Sequence, residues 1–131
     1  MDSIQPFLLN LREDERGFVL NLFSEIQAAS GEIREFHVCS LNKGAVRGNH
    51  YHENAEEYIL VLGGEARLAL KNPDEINKTE RWIKGETVEL LKINRNTAHA
   101  IRNEGETPLY ILCFYVSKDP VDIKTVRHSV L

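Results

Sequence analysis

The chain has 131 residues, enough for one domain with a core of its own, and its length calls for no second domain. Sixteen Lys and Arg stand against 20 Asp and Glu, and the formal net charge of −4 supplies no basic field for nucleic acid or anionic lipid. The longest apolar run, Leu109 to Val116, is less than half of what a bilayer-spanning helix needs, so neither a nucleic-acid partner nor a membrane segment is expected.

In chain order, the opening "MDSIQPFLLNLREDERGF" lacks the basic segment, apolar stretch and small-residue cleavage site of a secretory signal. A cytoplasmic protein is the expectation. Short apolar runs rich in β-branched and aromatic residues then recur: Phe18 to Phe23, Ile33 to Leu41, Glu56 to Leu62, Ala66 to Lys71, Arg81 to Ile83, Thr87 to Ile93, His99 to Asn103 and Pro108 to Val116. Turn residues separate them, among them Ser30-Gly31, Asn42 to Gly44, Gly63-Gly64, Asn72 to Glu80, Lys84 to Glu86 and Asn103 to Pro108. No helical pattern of ten or more residues intervenes. This spacing predicts an all-β antiparallel sandwich or barrel, with room for a helical turn only at "SEIQAAS" or after Pro120. Cys39 and Cys113 each lie inside an apolar stretch and read as buried thiols, not as a disulfide.

The stretch "VRGNHYHENAEEYILVLGG", Val46 to Gly64, carries the chemistry. In an extended strand His50 and His52 project to one side, about 7 Å apart along the chain, and two imidazoles on one face can share a metal ion. In the next strand Glu57, Ile59 and Val61 share one face, and Glu56, Tyr58, Leu60 and Leu62 share the other. A third nitrogen is available at His99 in "NTAHAIRN". Three histidines and a carboxylate form a nitrogen and oxygen set that suits Zn²⁺, Fe²⁺, Mn²⁺, Ni²⁺ or Cu²⁺ without choosing among them.

These spacings resemble the cupin superfamily. Its first signature runs Gly, five residues, His, one residue, His, three or four residues, Glu, six residues, Gly. Gly44, His50, His52, Glu57 and Gly64 match it, as do Glu56 and Gly63 in the shorter register. The second signature ends in Pro, one residue, Gly, two residues, His, three residues, Asn; His99 and Asn103 match, while Asn94 and Asn96 replace the proline and glycine. Asparagine tolerates the left-handed backbone that a glycine would adopt there. The likeness covers roughly residues 33–117 of a single domain spanning 1–131 and implies a double-stranded β-helix, the cupin jelly roll.

"RGNHYH", Arg47 to His52, is similar to the cupins of surface-polysaccharide biosynthesis that isomerise or epimerise nucleotide-linked keto-sugars. That resemblance implies Glu57, not Glu56, as the carboxylate of a divalent metal site with His50, His52 and His99. It further implies Arg47 at the diphosphate of a nucleotide sugar, and a homodimer. Proton transfer beside a ketone needs a base and a group that holds charge on the carbonyl oxygen. One histidine cannot be ligand and base together. If the metal takes all four residues, His37 or a tyrosine such as Tyr58, Tyr110 or Tyr115 is the base; without a metal it is His50. His37 also reads as an ordinary strand residue, Glu56 as a solvated neighbour, Asn103 as a turn residue and His128 as a surface residue. The same fold and ligands would equally serve a metal-dependent dioxygenase or a non-enzymatic sugar-binding cupin.

Overall fold

Period-two alternation builds the framework. The computed structural model describes residues 4–9, 11–29, 31–84, 88–119 and 121–131. Near the N-terminus run β1 (Ile4–Leu8), the hairpin β2 (Leu11–Asp14) with β3 (Gly17–Leu20), and a short helix, α1 (Phe23–Ala28). There follow β4 (Glu32–Leu41), β5 (Val46–His52), β6 (Glu56–Leu62), β7 (Ala66–Lys71), β8 (Thr79–Ile83), β9 (Glu89–Ile93), β10 (Ala98–Asn103), β11 (Leu109–Ser117) and β12 (Thr125–Arg127). Beside the two-stranded β2-β3 hairpin, antiparallel pairing arranges the other strands in two five-stranded sheets, ordered β1-β9-β6-β11-β4 and β12-β5-β10-β7-β8. This is the expected jelly roll.

The inner faces pack on each other. Ile59 and Val61 of β6 meet Leu68 and Leu70 of β7, Leu91 and Ile93 of β9, and Ile101 of β10 in one apolar cluster. Burying each such side chain contributes roughly 1.5–3 kcal/mol. The alternate residues of β6, Tyr58 and Leu60, point outward with Phe114 and Val116, where Leu9, Leu11, Leu20, Leu22 and Ile26 cover them. The N-terminal segment is therefore a lid on the outer face of the first sheet. Val130 and Leu131 do the same for the second sheet, packing on Ala69, Ala98 and Ala100.

The expected strand from Phe18 to Phe23 is divided in the structure. β3 ends at Leu20 and α1 begins at Phe23, a six-residue helix with no side-chain cap at Leu22. So short a helix is unstable alone, and Ile26 holds it by packing on the covered sheet face. The tail forms no helix in 125–127; its backbone pairs instead with the free edge of β5. β8 starts earlier than sequence indicated, at Thr79, because its pairing with β7 runs to Leu70. Ser30, Thr87 and the Gly85-Glu86 part of the expected turn lie outside the described residues.

One irregularity positions the site. β5 and β10 pair His50 with His99 but Gly48 with Ala100, so Asn49 is an extra residue in a β-bulge, at φ 57°. Gly48 sits at φ 101°, and a Cβ there would lie 2.7 Å from the His99 carbonyl oxygen and 3.0 Å from Ala100 Cα. Gly44 also has positive φ, 73°, but a Cβ there would meet nothing within 4 Å. Gly48→Ala is expected to cost about 2–3 kcal/mol, through strain and steric conflict with β10, whereas Gly44→Ala costs about 1 kcal/mol. Urea denaturation of the two variants against wild type measures the difference; equal costs would refute the close approach at Gly48.

Candidate active site

The bulge decides which side chains reach the interior. Arg47 stands opposite Ile101 and His50 opposite His99, and both Ile101 and His99 face inward. Arg47 and His50 are three residues apart and would lie on opposite faces of a regular strand. The extra residue at Asn49 brings Arg47, His50 and, two residues on, His52 to one side. Asn49 itself turns outward, where its Oδ1 accepts hydrogen bonds from the Val130 and Leu131 amides at 2.7 and 2.9 Å. An adjacent Gly-Asn inside a strand is a signal for such a bulge, which the alternation pattern alone does not register.

Glu57 comes from β6 in the facing sheet and meets three rings. Its Oε1 lies 2.8 Å from His52 Nε2, 2.9 Å from His99 Nε2 and 3.8 Å from His50 Nε2. His52, His99 and Glu57 are buried, while the His50 side chain keeps 27% of its exposure. His50 is thus the ring through which the cluster opens outward. Glu56 points elsewhere, accepting two hydrogen bonds from Arg95 at 2.8 and 3.3 Å. Period two separates these adjacent glutamates, and Glu57 alone enters the cluster.

Outer partners orient the rings. His99 Nδ1–H donates to the Thr97 carbonyl at 2.9 Å, and His52 Nδ1 lies 2.9 Å from the Thr125 hydroxyl. The turn before His99 is set by Asn96, which adopts the left-handed φ of 60° and donates its amide to the His52 carbonyl at 2.8 Å. Asn103 does hold a turn: its Nδ2 donates to Leu41 and Thr107 carbonyls, and its Oδ1 accepts from the Gly105 amide.

The electrostatics follow from these contacts. Burial pushes the Glu57 carboxyl up, but the charge on His99 and the histidine hydrogen bonds overcome it and hold the group well below the usual range. Burial pulls His99 down, yet the Glu57 carboxylate raises it above its ordinary value, with the Thr97 carbonyl adding to the effect. With no ion bound, both His99 nitrogens face acceptors, an arrangement that favours the imidazolium beside ionised Glu57. Burial, then the Glu57 charge, push the Cys113 thiol and the Tyr115 phenol up. Both stay protonated at neutral pH.

The four residues fit a divalent ion. They offer one ligand atom each, all within 4.8 Å of one another, and since two ligands on one ion with bonds of 2.0–2.2 Å lie at most roughly 4.4 Å apart, the widest pair closes slightly on an ion. The Nδ1 partners of His52 and His99 leave both Nε2 atoms directed inward, as metal-bound histidines require.

Beside the cluster lies a cavity of about 260 Å³. Both sheets line it with polar and aliphatic groups: Arg47, His50, His99 and Leu68 from one, His37, Tyr115 and Ile111 from the other. His37 packs edge-on against Tyr115 at 5.6 Å, with Nδ1 3.3 Å from the Glu35 carboxylate but without hydrogen-bond geometry. Arg47 Nε donates to the Ser40 carbonyl at 2.9 Å, and no carboxylate pairs with it among the described residues. Of the tyrosines that remained candidates, Tyr115 lines the cavity, Tyr58 faces the N-terminal lid and Tyr110 is half exposed on the outer surface. Thr125 acts through a hydroxyl that backbone pairing puts in place and Thr97 through its carbonyl, and neither leaves a motif in the sequence.

In metal-free protein the Glu57 and His99 shifts make stability depend on pH. The depressed Glu57 contributes stability above its ordinary value of 4.5, lost as pH falls through its lower folded value. The raised His99 contributes fully below its ordinary 6.5, and that part is lost as pH rises through its higher folded value. Chelator-treated protein is expected to reach its greatest thermal stability between these two values. His99→Gln should flatten the alkaline limb, as read by denaturation scans across pH.

The family described as polysaccharide biosynthesis C-terminal domain matches residues 12–120. The spore coat polysaccharide biosynthesis protein SpsL of Bacillus subtilis (strain 168) is 30% identical, over 87% of this chain and 79% of its own. Among solved structures, the capsular polysaccharide assembling protein CapF of Staphylococcus aureus superposes with a TM-score of 0.68 at 21% identity, over 93% of this chain but 34% of its own, so the chain spans about a third of CapF. The 3,4-ketoisomerase QdtA of Thermoanaerobacterium thermosaccharolyticum gives 0.70 at 16% identity, covering 98% of this chain and 89% of QdtA. The epimerase RmlC of Legionella pneumophila gives 0.71 at 17% identity, covering 89% and 68%. At these identities the structures establish the shared cupin jelly roll. The sequence match over most of its length shows that this chain belongs to the polysaccharide biosynthesis C-terminal domain family.

Proposed function

We propose that the protein is a cytoplasmic sugar-nucleotide isomerase or epimerase of surface-polysaccharide biosynthesis, moving a proton next to a keto-sugar carbonyl. One observation carries this reading: the histidine and glutamate cluster opens through His50 onto a cavity whose same wall holds Arg47. The cavity volume of about 260 Å³ is at the small end for ligand sites and accommodates a sugar ring, with a nucleotide left to lie beyond Arg47. QdtA is described in complex with TDP-4-keto-6-deoxyglucose, and RmlC with dTDP-4-keto-L-rhamnose, on the same fold.

In this reading His50, His52, Glu57 and His99 hold one divalent ion, Zn²⁺, Fe²⁺, Mn²⁺ or Ni²⁺ by donor type. Such an ion supplies Lewis acidity toward the carbonyl oxygen of the keto-sugar. His37, on the cavity wall and outside the ligand set, takes the proton from the carbon beside the ketone. Tyr115 keeps its proton at neutral pH and is placed to donate a hydrogen bond into the cavity. Arg47, anchored through Nε to Ser40, presents its remaining guanidinium N–H groups to the diphosphate. If the ion is absent, His50 takes over the base role, with Glu57 behind it.

Incubation with nucleoside-diphosphate 4-keto-6-deoxy sugars in D₂O tests the proposal: deuterium enters beside the ketone, and no exchange across a panel of such sugars would sink it. His37→Asn is expected to slow exchange by about 10²–10⁴-fold with bound metal unchanged. His50→Asn lowers metal content as well as exchange. If His50→Asn abolishes exchange while His37→Asn leaves it intact, His50 is the base. Arg47→Ala should raise KM about tenfold or more, equivalent to roughly 1.5–3 kcal/mol of charge-assisted hydrogen bonding.

A homodimer is part of the same proposal. β4 is an edge strand of ten residues, with Phe36 51% and Val38 64% exposed on it, an arrangement that invites a second copy. Light scattering is expected to give twice the chain mass, and Val38→Glu with Phe36→Glu to give monomer; a monomeric wild type refutes the dimer.

A further inference from the structure

β12 is three residues long and exposed at Thr125, yet it touches the cluster from outside. Thr125 pairs with His52 across the sheet edge, and its hydroxyl lies 2.9 Å from His52 Nδ1. The segment is pinned on both sides of this contact. Asn54 Nδ2 donates to the Asp122 carbonyl at 2.9 Å, and its Oδ1 accepts from the Lys124 amide at 2.8 Å. Further on, the Asn49 side chain captures the Val130 and Leu131 amides. Thr125 has little freedom to move away from His52.

The two buried rings on Glu57 have unlike outer partners. His99 Nδ1 faces a backbone carbonyl, which only accepts, so that nitrogen always carries a proton. His52 Nδ1 faces a hydroxyl, which donates or accepts according to its rotation. While His52 Nε2–H donates to Glu57, Nδ1 accepts the Thr125 proton. When Nε2 offers its lone pair to an ion, Nδ1–H donates to the same hydroxyl oxygen. In neither tautomer is a buried ring nitrogen left without a partner, a loss that would cost about 1–3 kcal/mol.

We infer that Thr125 is a positioning residue for His52: its hydroxyl holds Nε2 toward the centre and permits the tautomer change that ion binding requires. This rests on the proposed reading of the cluster as a divalent-ion centre. The test compares wild type, Thr125→Val and Thr125→Ser by zinc competition with a chromophoric chelator. It adds ¹⁵N NMR of the histidine rings in chelator-treated protein. Thr125→Val is expected to weaken zinc binding about 10–100-fold and Thr125→Ser to restore it. In the metal-free protein the Val variant should move the His52 Nδ1 resonance, leave those of His99 in place, and Ser should return it. An unmoved Nδ1, or a displacement of His52 and His99 alike, overturns the inference. So does equal zinc affinity of Thr125→Val and a zinc-binding wild type. A wild type that takes up no zinc refutes the ion centre itself, and the Nδ1 resonance in metal-free protein then decides the role of Thr125.

Discussion

Glu57 is the one buried carboxylate among the described residues, and the two sheets meet around it. Removing an ionised carboxylate from water costs several kcal/mol unless charged or polar partners replace the lost hydration. Those partners come from the other sheet: His52 and His50 on β5 and His99 on β10. Neither sheet alone could bury these groups. The charge cluster therefore specifies how β6 lies against β5 and β10, while the aliphatic cluster beyond Ile59 and Val61 supplies the non-directional part of the packing.

The same constraint separates the two halves of the molecule's chemistry. Because Glu57 accepts from His52 and His99 at 2.8 and 2.9 Å but stands 3.8 Å from His50, two rings serve the carboxylate and the third is left the most open of the three. The bulge at Asn49 then brings Arg47 to the same wall, which a regular strand could not do. Gly48 makes the bulge sterically possible, since no Cβ fits against the His99 carbonyl. One extra residue thus joins a guanidinium to an imidazole cluster without lengthening the strand. It also turns Asn49 toward the C-terminal segment, linking the inner wall of the pocket to the chain that supports it from outside.

Each of the two sheets lines the cavity with both polar and aliphatic side chains. Arg47 and His50 stand with Leu68 on one, and His37 and Tyr115 with Ile111 on the other. The cluster's outer supports come from parts of the chain far from the signature residues, Thr97 in the turn before β10 and Thr125 in β12. The short terminal strand is therefore part of the site's construction, as the N-terminal segment is of the core's.

Much of this was legible in the residues themselves. Alternation placed Glu57, Ile59 and Val61 on one face and Tyr58 and Leu60 on the other, because the side-chain period of a strand is two whatever the fold. The spacing of His50, His52, Glu57 and His99 identified the cluster, and Asn96 does take the left-handed backbone that its place in the signature demands. What alternation cannot register is an interruption in itself. The bulge at Asn49, the alignment of Arg47 with His50 and the exclusion of Glu56 through its pairing with Arg95 depend on which strands are neighbours. The division of Phe18 to Phe23 into strand and helix, and the pairing of Thr125 with His52, were likewise decided by surfaces that exist only after the sheets have formed. Local periodicity is written in the order of residues; partnership across strands is a property of the assembled structure, where burial makes each polar group find the acceptor or donor nearest in space.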